Sequence, residues 1–313
     1  MSLSRNIAAV SICILASLVT VQAQPRMTPV ANQKTASACS RVCLLDILSD
    51  TLDALVKHDP SKLPVTANLR VSENGHDSKF GDGIWKTAES FSYRQSFVDP
   101  LSGQAGFFGV VHEAATGEAI FALRLKVVNH KIVEAETLVA RKGAHPIFTP
   151  EALLTPKAIW DDLVPADERS SRASMIETTN KYFEGIQTHN PGMIPFHPSC
   201  NRTENGTQTT NNPPRMPSDC RDSIAGLAYI SRVRDRRYLI VDQERGLVFA
   251  IVQFDIPGNL PANPPTAEKQ LQQQLRQPRS LLLFELFKIE SGRIREIEAF
   301  MTNEKYGTPS AWK

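Results

Sequence analysis

The chain lacks an excess of charge of either sign, and after residue 23 it lacks an apolar run long enough to cross a membrane. Its 313 residues carry 35 lysines and arginines against 33 aspartates and glutamates. Nucleic acids and anionic membrane surfaces are bound through a large basic excess, which this composition does not provide. A membrane-spanning helix needs about 18 apolar residues in succession. The sequence therefore predicts neither nucleic acid nor a membrane as a partner of the mature protein.

Apolar residues are nevertheless plentiful enough for folded domains. They make up 41% of the chain and include 14 phenylalanines. This content excludes a disordered chain, which has few aromatic residues and a high net charge. The length corresponds to about two domains of ordinary size.

One short apolar segment lies at the amino terminus. Arg5 precedes it, residues 7–21 form the apolar run, and Val21-Gln22-Ala23 provides the small residues of a cleavage site. A run this short, with polar residues directly after it, is typical of a secretory signal peptide. We therefore expect residues 1–23 to be removed and the protein to be exported, to the periplasm or the extracellular space.

Cysteine is scarce, and its number fits export. Of five cysteines, Cys13 lies in the predicted signal peptide and four remain. An even number in an exported protein indicates disulfides, for which three pairings exist. We favour the two local pairs, Cys39–Cys43 and Cys200–Cys220. A zinc site is disfavoured because no second pair of ligands accompanies the Cys-x3-Cys spacing.

The sequence repeats itself. His58-Asp59-Pro60 matches His189-Asn190-Pro191, and Glu73-Asn74-Gly75 matches Glu204-Asn205-Gly206 at the same spacing. Farther on, the strand pattern that begins at Lys131 returns at Arg293. Several features in the same order indicate duplication of one structural unit.

Each copy is predicted to contain an amino-terminal helix, a turn-rich segment and four long antiparallel strands. The predicted strands are residues 90–98, 105–113, 119–128 and 131–141 in the first copy, and 229–242, 247–256, 281–289 and 293–303 in the second. The predicted domains are 36–142 and 173–313, joined by a proline-containing linker at 143–172. Residues 257–280 are predicted to be an insertion rich in proline and glutamine.

Several other segments stand out: Gly81-Asp82-Gly83-Ile84-Trp85, Tyr93-Arg94-Gln95-Ser96-Phe97-Val98-Asp99-Pro100, Gly106-Phe107-Phe108-Gly109-Val110-Val111, Arg232-Val233-Arg234-Asp235-Arg236-Arg237 and Glu244-Arg245-Gly246-Leu247-Val248-Phe249. With the order of elements, they resemble a secreted bacterial and fungal group of tandem SnoaL-like proteins. The resemblance implies an α+β fold of two tandem SnoaL-like domains, each a curved antiparallel sheet wrapped round helices. It also implies hydrolases that cleave aryl ether bonds of lignin-type dimers, with calcium in some members.

In such a cone-shaped fold, polar residues that point into an apolar pocket are the candidates for a site. A carboxylate with a raised pKa acts there as acid or base, and a Tyr, His or Arg polarises an oxygen of the substrate. The candidate catalytic residues are Glu204, Tyr229, Arg232, Asp242, Asp255 and His112. The candidate substrate-binding residues are Asn205, His197, Tyr93 and Arg94.

Several of these residues also have a purely structural explanation. The two Glu-Asn-Gly segments fit tight turns, with glycine at positive φ. His58 and His189 fall at predicted helix ends, where a cation favours the helix dipole. Arg232 belongs to an alternating run of charges typical of a partly solvated strand.

The expected function is a secreted hydrolase that cleaves the β-aryl ether bond of lignin-derived dimers by addition of water. The alternatives are a cofactor-free isomerase, dehydratase or cyclase of SnoaL type, and a non-catalytic module that binds a small molecule. No organic cofactor is required for any of them. A Ca²⁺ site would have to be assembled from distant residues, since the sequence has no contiguous ligand run. The expected partner is a small aromatic substrate, and the fold allows a homodimer.

Overall fold

The computed structural model describes residues 39–259 and 276–312 of the chain. The predicted signal peptide and most of the predicted insertion 257–280 lie outside these ranges. Within the described ranges, no helix has the length and apolar character needed to cross a membrane.

The first copy contains one α-helix, a short 3₁₀ helix at Gly83–Lys86 and six strands. Its elements are α1 (Arg41–Val56), β1 (Val65–Glu73), β2 (His76–Asp77), β3 (Ala88–Asp99), β4 (Gln104–Glu113), β5 (Gly117–Val128) and β6 (Lys131–Ala140). The strands form one sheet in the order β2-β1-β6-β5-β4-β3. The pair β1/β6 is parallel, and the other neighbouring strands are antiparallel.

The second copy repeats this order. Its elements are α2 (Arg172–Gln187), β7 (Phe196–Glu204), β8 (Thr207–Gln208), β9 (Arg232–Asp242), β10 (Leu247–Ile256), β11 (Arg279–Glu290) and β12 (Arg293–Lys305). They form a second six-stranded sheet in the order β8-β7-β12-β11-β10-β9, again with one parallel pair, β12/β7. The expected fold class, two tandem α+β units that each wrap a curved sheet round a helix, is confirmed.

Both helices form for the same local reasons. The side chains of Ser40 and Ser171 cap α1 and α2 by accepting a hydrogen bond from a backbone N–H of the first turn. Serine at this position satisfies one of the amide groups that a helix start leaves unpaired. One stripe of each helix, which includes Leu48 in α1 and Phe183 in α2, is buried against its sheet.

The segments predicted as turn-rich contain strands. The alternation of apolar and polar side chains in Val65–Glu73 suits a strand, and the structure pairs it with β6 in parallel. The same correction applies to β7, which pairs with β12. Strands that pair in parallel are far apart in the chain, so the residues next to each segment do not indicate the pairing. The strand predicted from residue 229 begins at Arg232, which leaves Tyr229 in the preceding loop.

The two sheets share a core on their faces away from the helices. Phe108 of the first sheet stacks on Phe300 of the second with ring centroids 4.1 Å apart, and Phe97 and Phe249 join the same cluster. Trp160 from the segment predicted as a linker is buried there too. The described residues accordingly belong to one compact unit. The domain boundaries themselves stay a prediction.

Two disulfides are present, and they are the predicted local pairs. Cys39–Cys43 spans the start of α1, and Cys200–Cys220 connects β7 to the loop before a short 3₁₀ helix at Asp222–Leu227. Both bonds join residues close in sequence, as expected for the local pairing.

Candidate active site

A small cavity lies between α2 and the second sheet. Its volume is about 40 Å³. Its polar lining consists of His145, Tyr182, Glu204, Tyr229, Arg279 and Glu285. The remaining lining is apolar and comes from Ile147, Leu227, Ile230, Phe254, Ile256, Leu281, Leu283 and Met301. We call this space the inner cavity.

Glu285 supplies a buried acid to the inner cavity. It lies in β11 on the same face as Leu283 and Phe287, which pack toward α2, and it is 1% exposed. Its Oε2 atom has no hydrogen-bond partner within the described residues. Burial, with a smaller contribution from the nearby Glu204, raises the pKa of Glu285 to about 8. The side chain is therefore a neutral carboxylic acid at neutral pH and can donate a proton.

Glu204 supplies an acceptor, held by an arginine. Arg202 Nε lies 2.9 Å from Glu204 Oε1, and both side chains project from the end of β7. Burial acts against the charge of Arg202, but Glu204 and Tyr182 raise its pKa above the ordinary value. The guanidinium thus stays charged inside the protein and orients the Glu204 carboxylate.

Tyr182, Tyr229 and His145 are further neutral titratable groups of the inner cavity. Burial raises the pKa of Tyr182 and of Tyr229, so both keep their hydroxyl protons. Burial also lowers the pKa of His145 to about 4, which leaves a neutral imidazole at neutral pH. His145 Nδ1 lies 3.2 Å from the backbone nitrogen of Ile147, from which it accepts a hydrogen bond. Two hydroxyl groups and one carboxylic acid can therefore donate hydrogen bonds to an uncharged molecule here.

The first copy lacks this polar set at the matching positions. Leu123 lies opposite Thr137 in the first sheet, and Glu285 lies opposite Ala299 at the matching position of the second sheet. The first copy therefore has a leucine where the second copy has its buried acid. The corresponding cavity measures about 10 Å³. Glu73, which matches Glu204, accepts a hydrogen bond from the backbone N–H of Ile84 at 3.0 Å. Of the two described halves, the second is therefore the better equipped for chemistry.

The structure brings two of the predicted site residues, Glu204 and Tyr229, into the inner cavity and places the others elsewhere. Asp255 points to the opposite face of β10, where it accepts hydrogen bonds from Arg232 Nε at 3.0 Å and Ser280 Oγ at 2.6 Å. His112, at the matching position of β4, is on the surface with Nδ1 3.2 Å from Glu118. These placements differ from the expectation that Arg232 and Asp255 point into the pocket of the second copy and His112 into that of the first.

Asp242 and Asn205 hold the structure together instead. Asp242 accepts two hydrogen bonds from Arg41, each 2.8 Å long. The side chain of Asn205 bonds to both the carbonyl and the amide of Met301, at 3.0 and 2.9 Å. This is the turn role that the Glu-Asn-Gly pattern allowed, and it occupies the Asn205 side chain fully.

The remaining three residues are scattered. His197 lines a separate surface groove with Lys288 and Arg293. Tyr93 is buried between the sheets and donates a hydrogen bond to Gln95 Oε1 at 2.6 Å. Arg94 is half-exposed, with its guanidinium 5.0 Å from the ring centre of Phe91. They do not meet in one substrate site.

Sequence reasoning missed Glu285, Arg202, Tyr182 and His145. Glu285 does carry a signal, because it is a lone acid within the apolar run Leu281–Phe287 of a predicted strand. A charged residue in a strand buried on both faces is unusual and marks a candidate site. His145 carries no such signal, since it lies in the linker and reaches the cavity only through the tertiary fold.

The described residues offer a single candidate cluster of metal ligands. Within the described ranges, one group of His and Cys ligand atoms converges, formed by Cys39, Cys43 and His130. Both thiols are consumed in a disulfide, so they are not available as thiolate ligands. Calcium binding stays a prediction.

Comparisons with known proteins bear on the second copy. Residues 168–301 match a family model described as a domain of unknown function, DUF8021. The search of curated proteins gave no match.

Solved structures with a similar arrangement cover about one copy of the repeat. A protein of unknown function with a cystatin-like fold from Methylobium petroleophilum PM1 is 14% identical, with a TM-score of 0.30, and covers 35% of this chain and 84% of its own. A candidate polyketide cyclase from Xanthomonas campestris pv. campestris is 13% identical, with a TM-score of 0.29, and covers 42% and 92%. A designed protein with a curved β-sheet is 16% identical, with a TM-score of 0.28, and covers 32% and 87%.

Proposed function

We propose that the inner cavity binds a small uncharged organic molecule and moves a proton on it without a cofactor, as an isomerase, dehydratase or cyclase does. The observation that supports this most strongly is the pair Glu285 and Glu204. One carboxyl group is neutral because it is buried, and the other forms an ion pair with Arg202 in the same cavity. A neutral carboxylic acid and a carboxylate paired with an arginine can serve as acid and base.

The roles follow from protonation. The Glu204 carboxylate accepts a proton from an acidic C–H or O–H group of the substrate, and Arg202 keeps its oxygen directed into the cavity. Glu285 donates a hydrogen bond, or its proton, to the substrate oxygen on which negative charge develops. In a dehydration, the proton from Glu285 leaves with the hydroxyl group as water, and Glu204 holds the proton taken from carbon.

Hydrolysis of an aryl ether would use the same two residues, with Glu204 orienting water and Glu285 protonating the departing oxygen. The volume of the inner cavity favours smaller substrates. Ligand sites usually measure about 300–1,000 Å³, whereas this cavity measures about 40 Å³. Any substrate requires the lining side chains to move, and a lignin-type dimer requires the largest movement.

Export of the enzyme is part of the proposal, and two disulfides are compatible with it.

Proton transfer is tested directly by deuterium exchange. Residues 24–313 are incubated in deuterated water with a β,γ-unsaturated ketone and with a β-hydroxy ketone, and incorporation at carbon is followed by NMR. We expect exchange above the buffer rate, with a loss of about 10²-fold or more in Glu285→Gln and in Glu204→Gln. The matched control is Glu73→Gln, which changes the same motif in the first copy and should retain the rate.

The outcomes separate the alternatives. Exchange that survives both substitutions in the second copy would remove the inner cavity from the reaction. Binding of the ketones without exchange would favour the non-catalytic module. A β-aryl ether dimer incubated in ¹⁸O-labelled water, with and without a chelator, tests the hydrolase: phenol release without label in the diol product would reject hydrolysis.

A further inference from the structure

A second and larger cavity lies on the opposite side of the second sheet from the inner cavity. It measures about 330 Å³, which is within the range of ligand sites. The side chains that matter here are those of Tyr93, Lys157, Trp160, Thr203 and Glu298. We call this space the outer cavity. It shares no lining residue with the inner cavity.

Glu298 is a buried carboxyl group without a partner. It is 3% exposed and lines the outer cavity from β12. No hydrogen bond or ion pair from another described residue reaches it, and Trp160 Nε1 in the same lining also lacks a hydrogen-bond partner within the described ranges. Buried polar groups are almost always paired in folded proteins. An unpaired, largely buried carboxyl group that lines a cavity therefore points to a bound molecule that donates hydrogen bonds to it.

The duplicated half shows what kind of group satisfies this position. Glu136 of β6 lies opposite Arg124 in the neighbouring strand β5. Glu298 has the matching position in β12, and the residue opposite it in β11 is Leu286. Arg124 Nε donates to Glu136 at 2.8 Å, and Arg237 from the second copy donates to both of its oxygens at 3.0 and 2.6 Å. The glutamate of the first copy is thus neutralised by two guanidinium groups.

An aromatic ring also packs near the two arginines that contact Glu136. The Trp312 ring lies 5.0 Å from the Arg124 guanidinium and 5.6 Å from that of Arg237, and Trp312 Nε1 donates to Ser72 Oγ at 2.8 Å. Ser72 matches Thr203, which lines the outer cavity. In the second copy, Lys157 Nζ contacts the matching hydroxyl of Thr203, and Glu298 is in contact with no guanidinium group of the described residues.

Within the described ranges, the charged side chains around Glu298 do not pair with its carboxyl group, so it can pair with a bound cation. Lys157 Nζ is engaged by Glu296 Oε1 at 2.6 Å and by Thr203 Oγ1 at 2.8 Å, so its charge is already balanced. Tyr93 donates its hydroxyl proton to Gln95. Burial and the neighbouring Glu296 raise the pKa of Glu298 to about 7, against the opposing effect of Lys157. Arg215 is the other charged group in the lining.

We propose that the outer cavity binds a small organic cation, an amine, amidine or guanidine, whose charged group pairs with Glu298 as Arg237 pairs with Glu136. The ring of an aryl-substituted cation would lie against the apolar and aromatic part of the lining, which Leu153, Tyr93 and Trp160 supply. This inference does not depend on the function proposed for the inner cavity. Binding requires ionised Glu298, so the cation takes up no proton and the protein releases one when Glu298 is initially protonated.

The test uses benzamidinium as the cation and benzamide as its neutral counterpart of the same shape. Each is titrated into residues 24–313 by calorimetry at pH 8 and at pH 5.5. We expect benzamidinium to bind, benzamide to bind at least about tenfold more weakly, and the benzamidinium affinity to fall at pH 5.5 because Glu298 is then protonated.

Two variants locate the site. Glu298→Gln should weaken benzamidinium binding by about tenfold or more and should fold normally, because it removes an unpaired buried acid. Glu290→Gln removes the same charge at a partly exposed position outside the outer cavity and should leave the affinity unchanged. Absence of binding to the unaltered protein, equal affinity for benzamide, or full affinity in Glu298→Gln would each overturn the proposal.

Discussion

Arg172 and Asp99 form an ion pair that joins the two copies of the repeat. Arg172 is the first residue of α2, Asp99 is the last residue of β3, and Nη2 lies 2.7 Å from Oδ2. The reverse contact is also present: Arg41, the first residue of α1, lies 2.8 Å from Asp242, the last residue of β9. Each helix start is thus anchored to the opposite sheet, as expected for a packing with pseudo-two-fold symmetry.

Asp99→Ala is expected to destabilise the protein by about 2–4 kcal/mol, because Arg172 and the backbone N–H of Val241, which lies 3.1 Å from Asp99, both lose their acceptor. Burial opposes ionisation, but Arg172 and the other donors hold the pKa of Asp99 below its usual value. Its contribution is therefore present above the unfolded pKa of about 3.9 and is lost as the pH falls further.

Urea unfolding at pH 7 and at pH 3 measures both effects. Asp53→Ala, which removes an exposed carboxylate from α1, serves as the control and should change stability by about 0.5 kcal/mol or less. Equal stability of Asp99→Ala and the control would show that the contact between the copies contributes nothing.

Glu285→Gln is expected to gain stability relative to the unaltered protein as the pH rises from 5 to 8. Burial raises the pKa of Glu285 to about 8, while an unfolded glutamate titrates near 4.3. Between these values the folded state holds a proton that the unfolded state has lost, so the stability of the unaltered protein falls with rising pH. The difference between the two proteins should grow by on the order of 1 kcal/mol or more, measured by urea unfolding at both pH values. A difference that is constant with pH would mean that Glu285 titrates normally.

The same proton predicts the alkaline limit of activity. If Glu285 donates a proton in the reaction, the exchange rate should fall above about pH 8, as this group ionises. Exchange rates measured from pH 6 to pH 10 show this decrease directly. A rate that continues to rise above pH 9 would exclude Glu285 as the proton donor, even if its substitution reduces activity.

Asn205→Ala should destabilise the protein more than Asn74→Ala. Both asparagines adopt positive φ, +42° and +49°, and each bonds to the carbonyl and the amide of one residue in the neighbouring strand. Asn205 also donates to the carbonyl of Ile147 at 3.2 Å and is fully buried. We expect losses of about 2–4 kcal/mol for Asn205 and about 1–2 kcal/mol for Asn74 in urea unfolding. Loss of ketone binding in Asn205→Ala with unchanged stability would restore its predicted role in substrate binding.

Removing the Cys200–Cys220 bond should cost more stability than removing the Cys39–Cys43 bond. The first closes a chain segment with a sequence separation of 20, and the second one of 4. A longer closed loop restrains the unfolded chain more, which corresponds to about 3 kcal/mol for the longer loop and about 2 kcal/mol for the shorter one. Thermal unfolding of the two double Cys→Ser variants compares them. A larger loss from the shorter loop would indicate that local packing, and not chain entropy, dominates.

Much of the fold can be predicted from the sequence, because most antiparallel strands pair with the strand that comes next in the chain. The strand predicted at 105–113 is observed as Gln104–Glu113, and the strand predicted at 247–256 is observed as Leu247–Ile256. Hairpins of this kind depend on alternation and on short turns such as Asn129-His130, which are local properties. The parallel strands β1 and β7 were missed because their partners lie more than 60 residues away along the chain.

The candidate site was less predictable than the fold. The repeat of Glu-Asn-Gly directed attention to Glu204, which does line the inner cavity, but also to Asn205, which is a structural clamp. Asp255 was expected in the pocket, although its side chain points to the face that α2 does not cover. Successive side chains of a strand point to opposite faces, so Phe254 and Ile256 line the inner cavity while Asp255 between them does not.

The sequence by itself determined the duplication, the helix positions and the near balance of basic and acidic residues, and it favoured the local disulfides. These are properties of composition and of residues close in the chain. Only the tertiary structure decided that Glu285 lies beside Glu204, that His145 reaches the same cavity, and that Glu298 lacks the arginines that surround Glu136. The physical reason is that pKa values and pairing depend on burial and on the neighbours brought together by folding. Two copies with the same pattern of strands therefore carry different chemistry on matching positions.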